Sequence, residues 1–199
     1  SRQVLMLADN TDPKAGDFST NSDALAVSVP AGYAVRQVYL GRPLSASDAR
    51  SQTLALLSAG AGIFNYTGHA GLDVLADEKL LQSADVANLH NGARLPFMSA
   101  ATCAMGNYAF AGYRTLGVLL ALQPDGGAAA VFATTGSSLN ADGTVLDGYL
   151  FQNLFGGDGG RAGDITRVAL AQFAKSGGPR YALDTYSLLG DPAMEMKWR

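Results

Sequence analysis

Apolar positions along the chain form short unbroken runs that alternate with stretches of helical spacing. Val4-Leu5-Met6-Leu7-Ala8, closed by Asp9-Asn10, reads as a buried strand. Residues 19–29 carry Ala24, Leu25, Val27 and Val29 behind several capping residues and stop at Pro30, which predicts a helix. A second strand is expected over 33–40, with Val35, Val38 and Leu40. Ser45 and Ser47 offer N-caps for a helix running to about Ala59, where Gly60 ends it. A third strand over 62–66 runs into Thr67-Gly68-His69. One or two short helices are expected over 72–89, with Ser83 as the second cap. A fourth strand over 95–101 runs into Thr102-Cys103. The pattern then predicts a helix over 113–122, a strand over 128–133 and helices over 143–155 and 163–175. A last helix over 181–189, stopped by Gly190-Asp191-Pro192, and a short strand over 193–197 complete it. Gly156-Gly157-Asp158-Gly159-Gly160 reads as a flexible loop between two helices.

Strands alternating with helices imply a mostly parallel sheet with right-handed crossovers. Apolar runs, rather than strict alternation, fit strands covered on both faces. No internal repeat, heptad pattern or linker interrupts the chain. Its 199 residues suit a single domain. With 48% hydrophobic and 16% charged residues, disorder is excluded, and 24 glycines suit many tight turns.

A net charge of −3 without any basic run gives nucleic-acid binding no electrostatic support. No apolar stretch approaches the ~18–20 residues of a membrane span. Ser1-Arg2-Gln3-Val4 is not a signal peptide, and the immediate start at a strand suggests part of a longer precursor. One cysteine, Cys103, excludes an intrachain disulfide and a cysteine-based zinc site.

His69 and Cys103 each stand just past a buried strand, where open parallel sheets bind ligands. Strands joined through a helix are usually neighbours, ~4.8 Å apart. An imidazole and a thiol so placed can serve one reacting carbonyl as acid/base and nucleophile. The competing reading is that a lone cysteine after a strand is core. Small residues around both, Thr67-Gly68-His69-Ala70-Gly71 and Ala100-Ala101-Thr102-Cys103-Ala104, favour close approach of backbone to a substrate. His90, before Asn91-Gly92, reads as a surface residue at a helix C-terminus. The Asn65-Tyr66-Thr67 sequon falls at a strand end, where a glycan does not fit.

Asn65-Tyr66-Thr67-Gly68-His69-Ala70 resembles the Asn-Tyr-x-Gly-His-Gly segment of the gingipain family of cysteine peptidases. The stretch from Leu95-Pro96-Phe97 to Thr102-Cys103-Ala104-Met105-Gly106-Asn107-Tyr108 is similar to that family's nucleophile segment. Leu188-Leu189-Gly190-Asp191-Pro192-Ala193-Met194 resembles its closing Gly-Asp-Pro motif. The likeness covers essentially the whole chain, residues 1–199, as one catalytic domain. The smaller subdomain that precedes it in the family is not in this sequence.

The resemblance implies a caspase-like three-layer α/β/α sandwich with a mostly parallel sheet of about six strands. It implies a catalytic dyad of Cys103 and His69, with backbone N–H groups of Ala70 and Cys103 holding the oxyanion. Ala70 replaces the family's usual glycine, which would be strained if that turn needs positive φ. Asp9 matches the family's acid that orients the imidazole, and its other reading is a turn-former beside Asn10. Asp73, four residues after His69, is a second carboxylate within reach in sequence. Ser22-Asp23 matches a pair that places a carboxylate under the specificity pocket of arginine-specific members. Asp23 also reads as an early-helix acid favoured by the dipole. A pocket-wall aromatic of those enzymes has no counterpart near Leu139 or Asn140.

The expected function is therefore a cysteine endopeptidase acting on protein or peptide substrates, with cleavage after a basic residue as one form of it. The rivals are an inactive binding or assembly module and a sortase-like transpeptidase using the same dyad. No cofactor is required. Calcium is common in relatives, and residues 12–17 carry oxygen ligands without a recognised calcium-loop spacing. A secreted or cell-surface location follows from the resemblance alone.

Overall fold

The computed structural model describes residues 1–156 and 160–196. Six strands form one sheet in the order β2-β1-β3-β6-β7-β8, from β1 (Gln3–Ala8), β2 (Ala34–Tyr39), β3 (Ile63–Thr67), β6 (Phe97–Ala101), β7 (Ala130–Thr134) and β8 (Tyr186–Gly190). The first five are parallel, and β8 closes the β7 edge antiparallel. A two-stranded hairpin, β4 (Val74–Leu75) and β5 (Leu81–Gln82), stands apart from the sheet. The helices are α1 (Phe18–Ala26), α2 (Ala46–Ala59), α3 (Ser83–Val86), α4 (Leu116–Leu122), α5 (Asn140–Phe155), α6 (Ala162–Lys175) and α7 (Arg180–Thr185).

The period of two along each buried strand sends alternate side chains to opposite faces. Leu5, Leu7, Phe64, Met98 and Val131 pack under α2, α3 and α4. Val4, Met6, Ile63, Phe97 and Phe132 pack under α1, α5, α6 and α7. The result is the three-layer sandwich with a mostly parallel six-strand sheet that the sequence implied. Local chemistry sets the helix ends. The Ser45 hydroxyl accepts from Asp48 N–H at the start of α2, and Gly60 ends it at φ 91°. Asp17 caps α1 by accepting from the N–H groups of Ser19 and Thr20.

Three expectations need correction. Residues 72–89 hold the β4–β5 hairpin and a single turn of helix, and the cap of α3 is Gln82, not Ser83. The hairpin turns through Ala76 and Lys79 at φ 58° and 64°, so no glycine marks it. Residues 181–189 are not one helix: α7 ends at Thr185 and β8 pairs with the otherwise open edge of β7. Edge pairing overrides the local helical spacing there. The strand expected at 193–197 is reduced to a bridge between Glu195 and Arg161, and residue 197 lies outside the described residues. So do residues 157–159 of the expected glycine-rich loop. Among the described residues, no helix is long and apolar enough to cross a membrane.

Candidate active site

The carboxyl ends of β3 and β6 bring His69 and Cys103 together. Thr67 pairs with Ala101 in register, and each functional residue lies two positions further along its own chain. Both line one cleft of about 280 Å³, open mouth included. Ala15 and Phe18, from the segment after β1, wall it next to His69. Ser138, Leu139 and Asn140, from the segment after β7, wall it next to Cys103. Cys103 is partly exposed, so core packing does not account for it. The His69 side chain is 51% exposed.

Main-chain bonds fix His69. Its N–H donates to Asp9 Oδ2 at 3.0 Å, and its carbonyl accepts from the Tyr66 hydroxyl at 2.6 Å and from Ala76 N–H at 2.9 Å. Gly68 lets the chain pass: a Cβ there would run into the Asp9 Cβ and the Tyr66 hydroxyl. Asp9 also accepts from Asn10 N–H at 2.8 Å. Burial pushes its carboxyl above the ordinary carboxylate range, and the two backbone N–H groups pull part of the way back. Asp9 thus grips the main chain of His69, and its hydrogen bonds among the described residues go to backbone N–H groups, not to the imidazole. The carboxylate facing the ring is Asp12, with Oδ2 3.5 Å from Nε2. Backbone N–H groups of Ala15 and Lys14, accepted by Asp12 Oδ1, hold its carboxyl below the usual range. Phe18 sets its ring edge against the imidazole, with centroids 5.1 Å apart at 80°.

Cys103 is clipped to the segment after β7. Its Sγ accepts from Ser138 N–H at 3.3 Å, and the thiol donates to the Ser138 carbonyl at 3.4 Å. The next residue, Ala104, is held at φ 52° while its N–H donates to the Gly136 carbonyl at 2.8 Å. The N–H groups of Cys103 and Ala70 donate to no acceptor among the described residues. Ala70 pairs with Leu75 through bonds made by its neighbours, Gly71 N–H to Val74 and Ala76 N–H to His69. Ala70 is not in the left-handed region, so alanine brings no strain there.

The other expected residues lie elsewhere. Asp23 does not line the cleft. Its carboxylate accepts from Gln37 Nε2 at 3.0 Å and pairs with Arg42 at 3.2 Å. Asp73 is exposed and interacts with the Tyr113 hydroxyl. His90 is exposed, four residues beyond α3. Asn65 is fully buried, as the sequon argument required. Among the described residues, no group of three His, Cys, Asp or Glu side chains is placed to hold a metal.

Sequence reasoning missed Asp12 as the ring's partner, Phe18 as its wall and Ser138 as the sulfur's partner. The local signal for Asp12 was Asp12-Pro13-x-x-Gly16, a turn whose aspartate accepts from the following N–H groups. A buried carboxylate was missed as well. Asp147 of α5 accepts from Asn65 Nδ2 at 2.7 Å, beneath the strands that carry the pair.

Sheet order, layers and the site at the strand ends place the chain in the caspase-like class of α/β/α sandwiches. The profile described as Peptidase family C25 matches residues 1–197, and the chain belongs to that family. No curated protein sequence matches it. Among solved structures it is similar to the complex of Porphyromonas gingivalis RgpB pro- and mature domains, with TM-score 0.83 and 18% identity, over 96% of this chain and 48% of that one. It is also similar to the Arg-specific cysteine proteinase gingipain R, RgpB, with TM-score 0.80 and 21% identity, over 98% and 47%. A more distant likeness is to the Saccharomyces cerevisiae separase–securin complex, at TM-score 0.57 and 13% identity, over 95% and 12%. The chain thus spans about half the length of the gingipain structures it matches.

Proposed function

We propose that this chain is the catalytic part of a cysteine endopeptidase in which Cys103 is the nucleophile and His69 the acid/base. The single observation that carries this reading is the in-register placement of the two residues on β3 and β6, lining one cleft. In the first step the thiol proton passes to the imidazole and the sulfur bonds to the scissile carbonyl carbon. The carbonyl oxygen becomes an oxyanion, and the unpaired N–H groups of Cys103 and Ala70 are the donors available to it. The imidazolium then protonates the leaving amine as the C–N bond breaks, leaving a thioester. Water attacks the thioester with His69 as base, the C–S bond breaks, and the thiol returns.

Asp12 faces the ring and Phe18 limits its rotation, so both act as positioning residues. Asp9 positions His69 through the main chain. A longer precursor and a secreted or surface location go with this reading, on family resemblance. The strain expected at Ala70, which would have favoured an inactive relative, is absent. Replacing Cys103 with Ala should abolish both peptide cleavage and alkylation by iodoacetamide. A Cys103→Ala variant that still cleaves would sink the assignment.

A further inference from the structure

The segment between β7 and α5 carries the main-chain partners of Cys103, and little packing holds it. Ser137 and Leu139 are exposed, and an open hollow of about 430 Å³, mouth included, lies against Ser137, Ser138, Leu139 and Tyr181. Hydrogen bonds reach this segment from the corner where α7 passes into β8. Thr135 N–H donates to the Thr185 carbonyl at 2.9 Å, the Ser138 and Tyr186 hydroxyls meet at 3.3 Å, and Leu139 N–H donates to the Tyr181 hydroxyl at 3.1 Å. The corner is a firm mount. Tyr186 pairs with Thr134 in the β7–β8 register, and its ring is buried beside Phe132.

Tyr181 holds the peptide unit that meets the sulfur. Its hydroxyl accepts from Leu139 N–H and donates to Asp142 Oδ2. Burial and that carboxylate push the phenol above its ordinary range, so the hydroxyl keeps its proton and both bonds. The carbonyl that accepts from the Cys103 thiol belongs to Ser138, and so to the same peptide unit as Leu139 N–H. That unit is planar and trans, so its C=O and N–H point in opposite directions. A hydroxyl that fixes the N–H on one side fixes the direction of the carbonyl on the other.

We propose that Tyr181 is a positioning residue for Cys103: its hydroxyl holds the Ser138–Leu139 peptide plane, and that plane sets where the sulfur sits in the cleft. The inference rests on the peptidase reading and adds a residue to that same site. Without the hydroxyl the plane is free to tilt, and the carbonyl carries the thiol with it. Misplacing a reacting atom by about 1 Å costs on the order of 100-fold in rate.

Tyr181→Phe removes one oxygen and leaves the ring in place. Two measurements on this variant test the proposal, both made where wild type and variant are fully folded in urea titrations. In steady-state kinetics on a fluorogenic peptide that the wild type cleaves, kcat should fall at least about fivefold while KM stays within about twofold. In amide hydrogen exchange followed by NMR, both Leu139 N–H and Ser138 N–H should exchange faster than in wild type. Faster exchange at Leu139 alone overturns the proposal, because the plane then moves without the sulfur clip. An unchanged kcat overturns it too, and a raised KM at unchanged kcat makes Tyr181 a substrate contact instead. In each of these cases the peptidase reading still stands. No cleavage of any peptide by the wild type, with Cys103 alkylated by iodoacetamide no faster than a free thiol, overturns that reading and this inference together.

Discussion

The carboxylate of Asp12 stands 3.5 Å from Nε2 of His69, whereas Asp9, three residues earlier, holds only that histidine's backbone N–H. The two acids act on one residue through different atoms, so their removal should have different signatures. Asp12→Ala should lower kcat about tenfold with little change in KM, because the base loses the group that orients it. Its thermal midpoint should fall by less than that of Asp9→Ala, since water can replace the Asp12 carboxylate as acceptor for the Lys14 and Ala15 N–H groups in this surface loop. Asp9→Ala leaves two backbone N–H groups short of an acceptor beside a buried turn. It should cost about 1–3 kcal/mol in urea unfolding and reduce activity as well. Matching losses of stability in the two variants would refute this division.

Gly68 and Ala70 flank the histidine and should respond in opposite ways. At Gly68 a methyl group has nowhere to go between Asp9 and Tyr66. Gly68→Ala should therefore destabilise by about 1–3 kcal/mol or more and displace His69. Ala70 sits at ordinary φ. Restoring the family's glycine there should change kcat/KM by less than about threefold, with a stability loss under ~1 kcal/mol from backbone entropy. Steady-state kinetics and denaturant melts on both variants would check the pair.

The sheet and the placing of His69 and Cys103 at neighbouring strand ends were legible because their signals are local and strong. Val4 to Ala8 is an unbroken apolar run, and His69 and Cys103 each follow an apolar run that the sequence shows directly. The partners of His69 and Cys103 were not legible, because they depend on which loops meet over the sheet. Asp12 and Ser138 reach His69 and Cys103 from 57 and 35 residues away. Motif spacing picked Asp9, which meets the His69 backbone N–H, while Asp12, three residues on, faces the ring. Asp23 was misleading for a similar reason. The helix bears it on a side where Arg42 collects it, away from the cleft.

Asp147 should make the protein lose stability as pH rises toward neutrality. Full burial pushes its carboxyl up to about 7 from an ordinary 3.8, against hydrogen bonds from Asn65 and Ser99 that pull it down. Between those two values the folded protein keeps a proton that the unfolded chain has released. Stability from this group is thus greatest in acid and falls as pH climbs through the window, by as much as a few kcal/mol. Asp12 and Asp17, whose carboxyls are held low, contribute with the opposite sign, toward loss in acid. The difference between wild type and Asp147→Asn isolates the buried group. Urea unfolding at pH 4.5 and pH 7.5 should show a smaller drop in the variant. Equal drops would mean that Asp147 does not titrate in this window.

Ala104 offers a direct look at strain beside the nucleophile. A non-glycine residue at φ 52° costs on the order of 1–2 kcal/mol relative to glycine. The surroundings hold it there: Ala104 N–H donates to Gly136, Gly106 N–H donates to Thr134, and Met105 is fully buried just after the turn. Ala104→Gly should keep all of these bonds and relieve the strain. The expected gain in urea unfolding is about 0.5–1 kcal/mol, less than the full cost because glycine also frees the unfolded chain. Activity should fall as stability rises if the strained turn is what aims Cys103 across the cleft toward His69. A variant that gains stability at unchanged kcat would instead assign that aim to the Ser138 clip, and Ser138→Pro, which removes the N–H donor to sulfur, would then carry the larger loss.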